Sequence, residues 1–134
     1  MTARHDLVLP PDDVAYLNTS HPGWQTIRDD AASWLLIPDY VPPSGYNHTV
    51  ATAVLRLEPG YPDTPIDMVF FSPLLARTDG ITIGATGGQR TINGITYQQW
   101  SRHRSPGNPW RPGIDDIESH MQLVKYWLER EFGR

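Results

Sequence analysis

The sequence predicts one α+β domain: an N-terminal helix, a four-stranded antiparallel meander, an elaborated loop with a hairpin, and a C-terminal helix packed on the sheet. Three observations predict it. Residues 49–57 alternate with period two, with Ala51, Ala53, Leu55 and Leu57 on one face and Thr52, Val54 and Arg56 on the other. Asn93-Gly94 stands between Ile92 and Ile95, and both residues tolerate the positive φ angles of a type I′ hairpin turn. Ile114, Ile117, Met121, Val124 and Leu128 recur at spacings of three and four, which makes one apolar stripe on a helix, broadened by Trp127.

The elements follow in order. Leu9-Pro10-Pro11-Asp12-Asp13-Val14-Ala15-Tyr16-Leu17 reads as a short helix, because proline is tolerated in a first turn where its missing N–H has no partner anyway. Asp12 and Asp13 suit the positive end of its dipole, and Val14 and Leu17 supply its apolar face. Residues 18–23, with Pro22 and Gly23, end it. Residues 24–28 and 33–37 read as two strands joined around Asp29-Asp30. Pro38, Pro42, Pro43 and Gly45 mark a loop. Residues 49–57 form the third strand. Residues 66–72, nearly continuous in apolar character after the Gly60–Pro65 turn, form a fourth and central one. Residues 73–88 are mostly loop, anchored by Ile81 and Ile83. The hairpin pairs Ile92 with Ile95 and Thr91 with Thr96. Ser105-Pro106-Gly107-Asn108-Pro109 breaks the chain again, and residues 113–132 form the last helix. Asp115, Asp116 and Glu118 lie in its first turn, Arg130 near its end, and Gly133 terminates it.

Composition narrows the function. The 134 residues support one hydrophobic core, so the domain spans 1–134. No apolar run approaches the roughly 18 residues of a membrane span. Residues 1–6 lack the apolar stretch of a signal peptide, which points to the cytoplasm. There is no cysteine, hence no disulfide, no thiolate metal site and no thiol nucleophile. His5, His21, His48, His103 and His120 show no metal-ligand spacing, so no metal is expected. Gly84-Ala85-Thr86-Gly87-Gly88 lacks the Lys-Ser/Thr ending of a phosphate loop, and no cofactor is expected. The net charge of −4 argues against nucleic acid as a partner. Residues 80–114 nevertheless contain no acid and four arginines, Arg90, Arg102, Arg104 and Arg111. That stretch is either an ordinary solvated loop or a docking surface for an acidic partner or a carboxylate tail. Lys125 is the only lysine, and arginine favours bidentate pairing with carboxylates.

The order of motifs resembles the ubiquitin-conjugating (UBC) fold. Tyr61-Pro62-Asp63-Thr64-Pro65 matches the Tyr-Pro-x-x-Pro turn before an apolar strand, Asn93-Gly94 the dipeptide before the active-site position, and Trp110-Arg111-Pro112 the Trp-x-Pro before the following helix. With Leu9 to Val14, Gln99-Trp100-Ser101-Arg102-His103-Arg104 and Gly113-Ile114-Asp115-Asp116 added, the chain is most similar to prokaryotic E2 family E. The resemblance implies a pathway containing a ubiquitin-like protein, an activating enzyme and a JAB-type metalloprotease. It also exposes a departure. Counting Asn-Gly-x-x-Cys places Tyr97 where those enzymes carry the thioester cysteine, and the chain lacks the His-Pro-Asn tripeptide.

Two functions follow. The first is a non-catalytic module that binds or positions a ubiquitin-like protein or its activating enzyme. Its docking surface would be residues 90–111, with Tyr97, Trp100 and Trp110 as aromatic anchors and Arg102, Arg104 and Arg111 as cations. The second is an enzyme forming an oxyester on Ser101. His103 or His120 would take the hydroxyl proton, and an arginine among Arg102, Arg104 and Arg111 would stabilise the oxyanion. Ser101 and His103 are two apart and share a side in extended chain. No third orienting group is visible, and the plainer reading of Ser101 is a solvated loop hydroxyl. For His120, beside the apolar stripe, the plainer reading is a hydrogen-bonded histidine under the site.

Overall fold

A computed structural model describes residues 4–29 and 32–134. The turn expected around Asp29-Asp30 therefore lies partly outside the described residues. The element order is α1 (Pro11–Ser20), β1 (Gln25–Asp29), β2 (Ala32–Tyr40), β3 (Ala51–Leu57), β4 (Val69–Ser72), β5 (Gly88–Ile92), β6 (Ile95–Trp100) and α2 (Ile117–Arg130).

The strands form one antiparallel six-stranded sheet in the order β1-β2-β3-β4-β6-β5. The expected four-stranded meander is thus only part of the sheet. The hairpin does not stand apart in a loop, because β6 pairs with β4, Val69 opposite Trp100 and Phe71 opposite Gln98. The physical reason is that Tyr97 and Trp100 put large rings on opposite faces of β6, and only a strand inside the sheet buries both. The Asn93-Gly94 turn has φ of 50° and 82° and sets the expected register, Ile92 opposite Ile95 and Thr91 opposite Thr96.

The two faces of the sheet carry separate cores. Both helices cover one face, where Leu17, Leu35, Ala53, Leu55, Phe71, Trp100, Val124 and Leu128 pack together. The alternation of β3 holds there, since Ala51, Ala53, Leu55 and Leu57 all belong to this cluster. The second face holds Ile27, Trp34, Leu36, Val54, Phe70, Ile92 and Tyr97, and no helix among the described residues contributes to that cluster. The sheet curls to close this face, and the hairpin turn reaches the first strand, with Asn93 N–H donating to Asp29 Oδ2 at 3.0 Å. Arg90 and Arg56 lie over the Trp34 ring at 5.1 and 5.9 Å and cover the aromatic surface with their stems.

Several expected boundaries shift. Strand β4 begins at Val69 because Met68 has φ of 61°, outside strand geometry. Strand β2 runs on through Pro38 to Tyr40, with a register irregularity between Ile37 and Tyr40. Helix α1 continues through Asn18 to Ser20. Ile83 is buried, but Ile81 is 57% exposed and anchors nothing. Ile114 is 64% exposed and falls outside the stripe that Ile117, Met121, Val124, Trp127 and Leu128 do form. Helix α2 starts one turn later than periodicity implies because Asp116 is its N-cap. Its side chain accepts from Ser119 N–H at 2.9 Å while Ser119 Oγ accepts from Asp116 N–H at 3.0 Å, a reciprocal capping box.

One buried carboxylate ties the helices to the Tyr61 turn. Asp13 is 2% exposed. Its Oδ2 accepts from Tyr61 OH at 2.7 Å and its Oδ1 from Ile117 N–H at 3.2 Å. An acid expected to serve the dipole of α1 thus also satisfies an orphan donor at the start of α2. Burial pushes its pKa up, against the pull of the Tyr61 and Ile117 hydrogen bonds.

Candidate functional site

Beyond β6 the chain turns irregular and runs between the sheet and α2. Ser101 N–H donates to Ala85 O at 3.0 Å, and Met68 N–H donates to Arg102 O at 3.1 Å. These bonds fix residues 101–104 against the loop before β5 and the entry to β4. A groove of about 850 Å³ opens beside them. One wall is Gly84 and Ala85, a second is Arg102 to Ser105 with Asn108, and the third is the outer half of α2 with Leu123, Tyr126, Trp127, Arg130 and Glu131. The arginines expected at positions 102 and 104 both line it. Arg111 does not.

Each cation has its own surroundings. Arg102 lies over the Trp100 ring at 4.9 Å, donates to Gly84 O at 2.9 Å and pairs with Glu131 at 3.2 Å. Arg104 lies over the Trp110 ring at 4.8 Å. It donates from Nε to Ile66 O at 3.2 Å and from Nη2 to His120 Nδ1 at 3.0 Å. Trp110 is held in turn by its indole N–H, which donates to Pro62 O at 3.0 Å. Arg130 donates to Tyr126 OH at 2.6 Å. Arg111 clasps Asp115 with both backbone and side chain. Burial alone would raise the Asp115 carboxyl, but hydrogen bonds from Arg111 and Ser119 outweigh it and leave it below the usual range.

The histidines divide sharply. His103 is exposed and its Nδ1 lies 2.6 Å from Asp67 Oδ2. Asp67 is the third group that sequence could not supply, and its Oδ1 is buried with no hydrogen-bond partner. His120 is fully buried. An arginine can only donate, so His120 Nδ1 must accept from Arg104, which leaves Nε2–H to donate to Met68 O at 2.9 Å. Burial, joined by the nearby Arg104 charge and opposed by the Met68 bond, pulls its pKa down to about 4. His120 is therefore neutral at pH 7 with both nitrogens engaged, and it positions Arg104 rather than moving protons.

Three other expected site residues are placed elsewhere. Tyr97 is 2% exposed and lies in the closed face behind the sheet, away from the groove, and burial raises its hydroxyl pKa. Trp100 is 0% exposed and belongs to the helix-covered core. Neither ring is an exposed anchor, because β6 lies inside the sheet and its alternation sends each into a core. Ser101 does not line the groove. Its Oγ accepts from Gln99 Nε2 at 3.0 Å, and no imidazole hydrogen-bonds it. Tyr126 and Arg130, one helical turn apart on α2, are groove residues that sequence reasoning missed, although their i,i+4 spacing on the polar side of the stripe was there to read. Two non-glycine residues at the site, Met68 and Ala85, hold positive φ of 61° and 56°.

Among the described residues no three His, Asp or Glu side chains are grouped to hold a metal ion. Among the described residues no helix is long and apolar enough to cross a membrane. The family model of prokaryotic E2 family E matches residues 9–131, and the chain belongs to that family. No curated protein and no solved structure matches it.

Proposed function

We propose that this member of prokaryotic E2 family E serves a bacterial ubiquitin-like modification pathway as a docking component that carries no acyl group. It binds or positions a ubiquitin-like protein or its activating enzyme, in the cytoplasm, with a JAB-type metalloprotease as a further pathway partner. One observation carries the reading. The sequence has no cysteine, and Tyr97, which stands at the counted cysteine position, is sealed in the closed face of the sheet. A thioester needs a thiolate that its acyl donor can reach. The scaffold persists without that nucleophile, and the arginine-lined groove beside α2 remains open for docking. Co-purification of the tagged chain with a ubiquitin-like protein and an activating-type enzyme tests this. A stable non-covalent complex with one of them supports it, and retention of neither removes it.

The Asp67–His103 pair supports a second reading, an oxyester enzyme acting through Ser101. A carboxylate on Nδ1 leaves Nε2 as a base, as triad chemistry requires. Against it stands Ser101 itself, bonded to Gln99 and outside the groove. A hydroxylamine-labile adduct that requires ATP and an activating enzyme and disappears in Ser101→Ala is the result this reading needs.

A further inference from the structure

Arg104 is a half-buried guanidinium in the wall of the groove with no acidic partner among the described residues. Its acceptors are a backbone carbonyl and a neutral imidazole, so its charge is not balanced by either. Neither carboxylate that acts on its charge through space hydrogen-bonds it: Asp115 bonds Arg111 and Ser119, and Asp67 bonds His103 through Oδ2 while its buried Oδ1 has no partner. Burial lowers the Arg104 pKa more than Asp67 and Asp115 raise it. A cation held rigidly between Trp110, Ile66 and His120 and left unpaired is prepared for an anion from outside the chain.

The rest of the groove describes what carries that anion. Arg130 on the facing helix lies over the Tyr126 ring at 5.9 Å and donates to its hydroxyl, with no acidic partner among the described residues. Arg102 shares its charge with Glu131. Gly84, whose carbonyl accepts from Arg102, has no side chain, and a Cβ built there meets nothing within 4 Å. That leaves room for extended backbone to lie against the loop. Leu123 and Tyr126 give an apolar surface beside it, with Tyr126 48% exposed. The site is large enough for several residues of peptide. The protein's net charge of −4 does not suit a polyphosphate backbone.

We infer that this groove binds the C-terminal carboxylate of an extended peptide tail, with Arg104 as its anchor and the Leu123–Tyr126 surface holding the preceding side chain. The inference rests on the docking reading, in which the ubiquitin-like partner presents that tail. No bond forms or breaks. The carboxylate replaces water on Arg104 in a bidentate, charge-assisted pair.

Fluorescence anisotropy tests it with one labelled hexapeptide, Gly-Ser-Ala-Leu-Gly-Gly, made as the free acid and as the C-terminal amide. The acid should bind the intact chain at least about tenfold more tightly than the amide, the effect of one charged hydrogen-bonded pair. Arg104→Gln should erase that preference and Arg104→Lys keep part of it, while Tyr126→Ala weakens acid and amide alike. Equal binding of acid and amide to the unaltered chain, or no binding of either, overturns the inference without recourse to any variant. So does an acid preference that survives in folded Arg104→Gln. The docking reading has its own readout. If a ubiquitin-like protein is retained equally by the unaltered chain and by Arg104→Gln, docking stands and this assignment falls. If the unaltered chain retains neither a ubiquitin-like protein nor an activating-type enzyme, docking itself falls.

Discussion

Acidification from pH 7.5 to 4.5 measures the work of keeping His120 neutral. Its imidazole is fully buried and its pKa is about 4 against an ordinary 6.5. Between those two values the unfolded chain binds a proton at this residue and the folded chain does not, so stability falls as pH falls. The contribution is fully present above pH 6.5 and is lost progressively down to about pH 4. At about 1.4 kcal/mol per pH unit, the whole interval is worth about 3 kcal/mol. Glutamine is the informative replacement, because its amide can donate to Met68 O and accept from Arg104 without titrating. At pH 7.5 His120→Gln should cost about 1 kcal/mol from imperfect geometry. Urea unfolding followed by tryptophan fluorescence at pH 7.5, 6.5, 5.5 and 4.5 gives both stabilities. Carboxylates common to the two proteins cancel in the difference. The unaltered chain should lose about 2–3 kcal/mol more than the variant over this range, so that the two curves converge or cross. Parallel curves would refute the reasoning, as would an NMR titration that places the His120 pKa above 6.

Other perturbations probe the scaffold and the site. Asp13→Ala strands the Tyr61 hydroxyl and the Ile117 N–H and should cost about 2–3 kcal/mol in urea unfolding, partly offset by the relief of a buried carboxylate. A loss under about 1 kcal/mol would show that the bonds are replaced by water. Gly45→Ala places a Cβ 2.6 Å from the Phe132 ring at a φ of 111°, and should destabilise by about 2 kcal/mol or more in the same assay. Tyr97→Cys should give a thiol that an aromatic disulfide reagent labels at least about tenfold more slowly in the native protein than in urea, since the position is reached only by opening of the sheet. Equal rates would mean that the position faces solvent.

What could be read in the sequence was local. The Asn93-Gly94 turn sets its own register because both residues accept positive φ, and nothing distant is needed. The alternation of β3 and the stripe of α2 follow from periodicity alone. Ile114 shows the limit of that signal. It fits the helical spacing, but the capping box of Asp116 and Ser119 starts α2 after it. The site was legible as a composition, an arginine-rich stretch without acids, and not as a geometry. Its pairings span the chain, with Asp67 to His103 separated by 36 residues and Arg104 to Ile66 by 38. Which aromatics face out also depended on a non-local fact. Tyr97 and Trp100 are buried because β6 lies between β4 and β5, which the hairpin signal does not reveal.

Intact mass spectrometry puts the central claim to the most direct trial. The chain is incubated with a ubiquitin-like protein, its activating enzyme and ATP, then measured under native and denaturing conditions. Docking without acyl transfer predicts a complex in the native spectrum and an unmodified chain in the denaturing one. A denaturing-stable increase equal to the ubiquitin-like protein less one water, on Ser101 or any other residue, would contradict it.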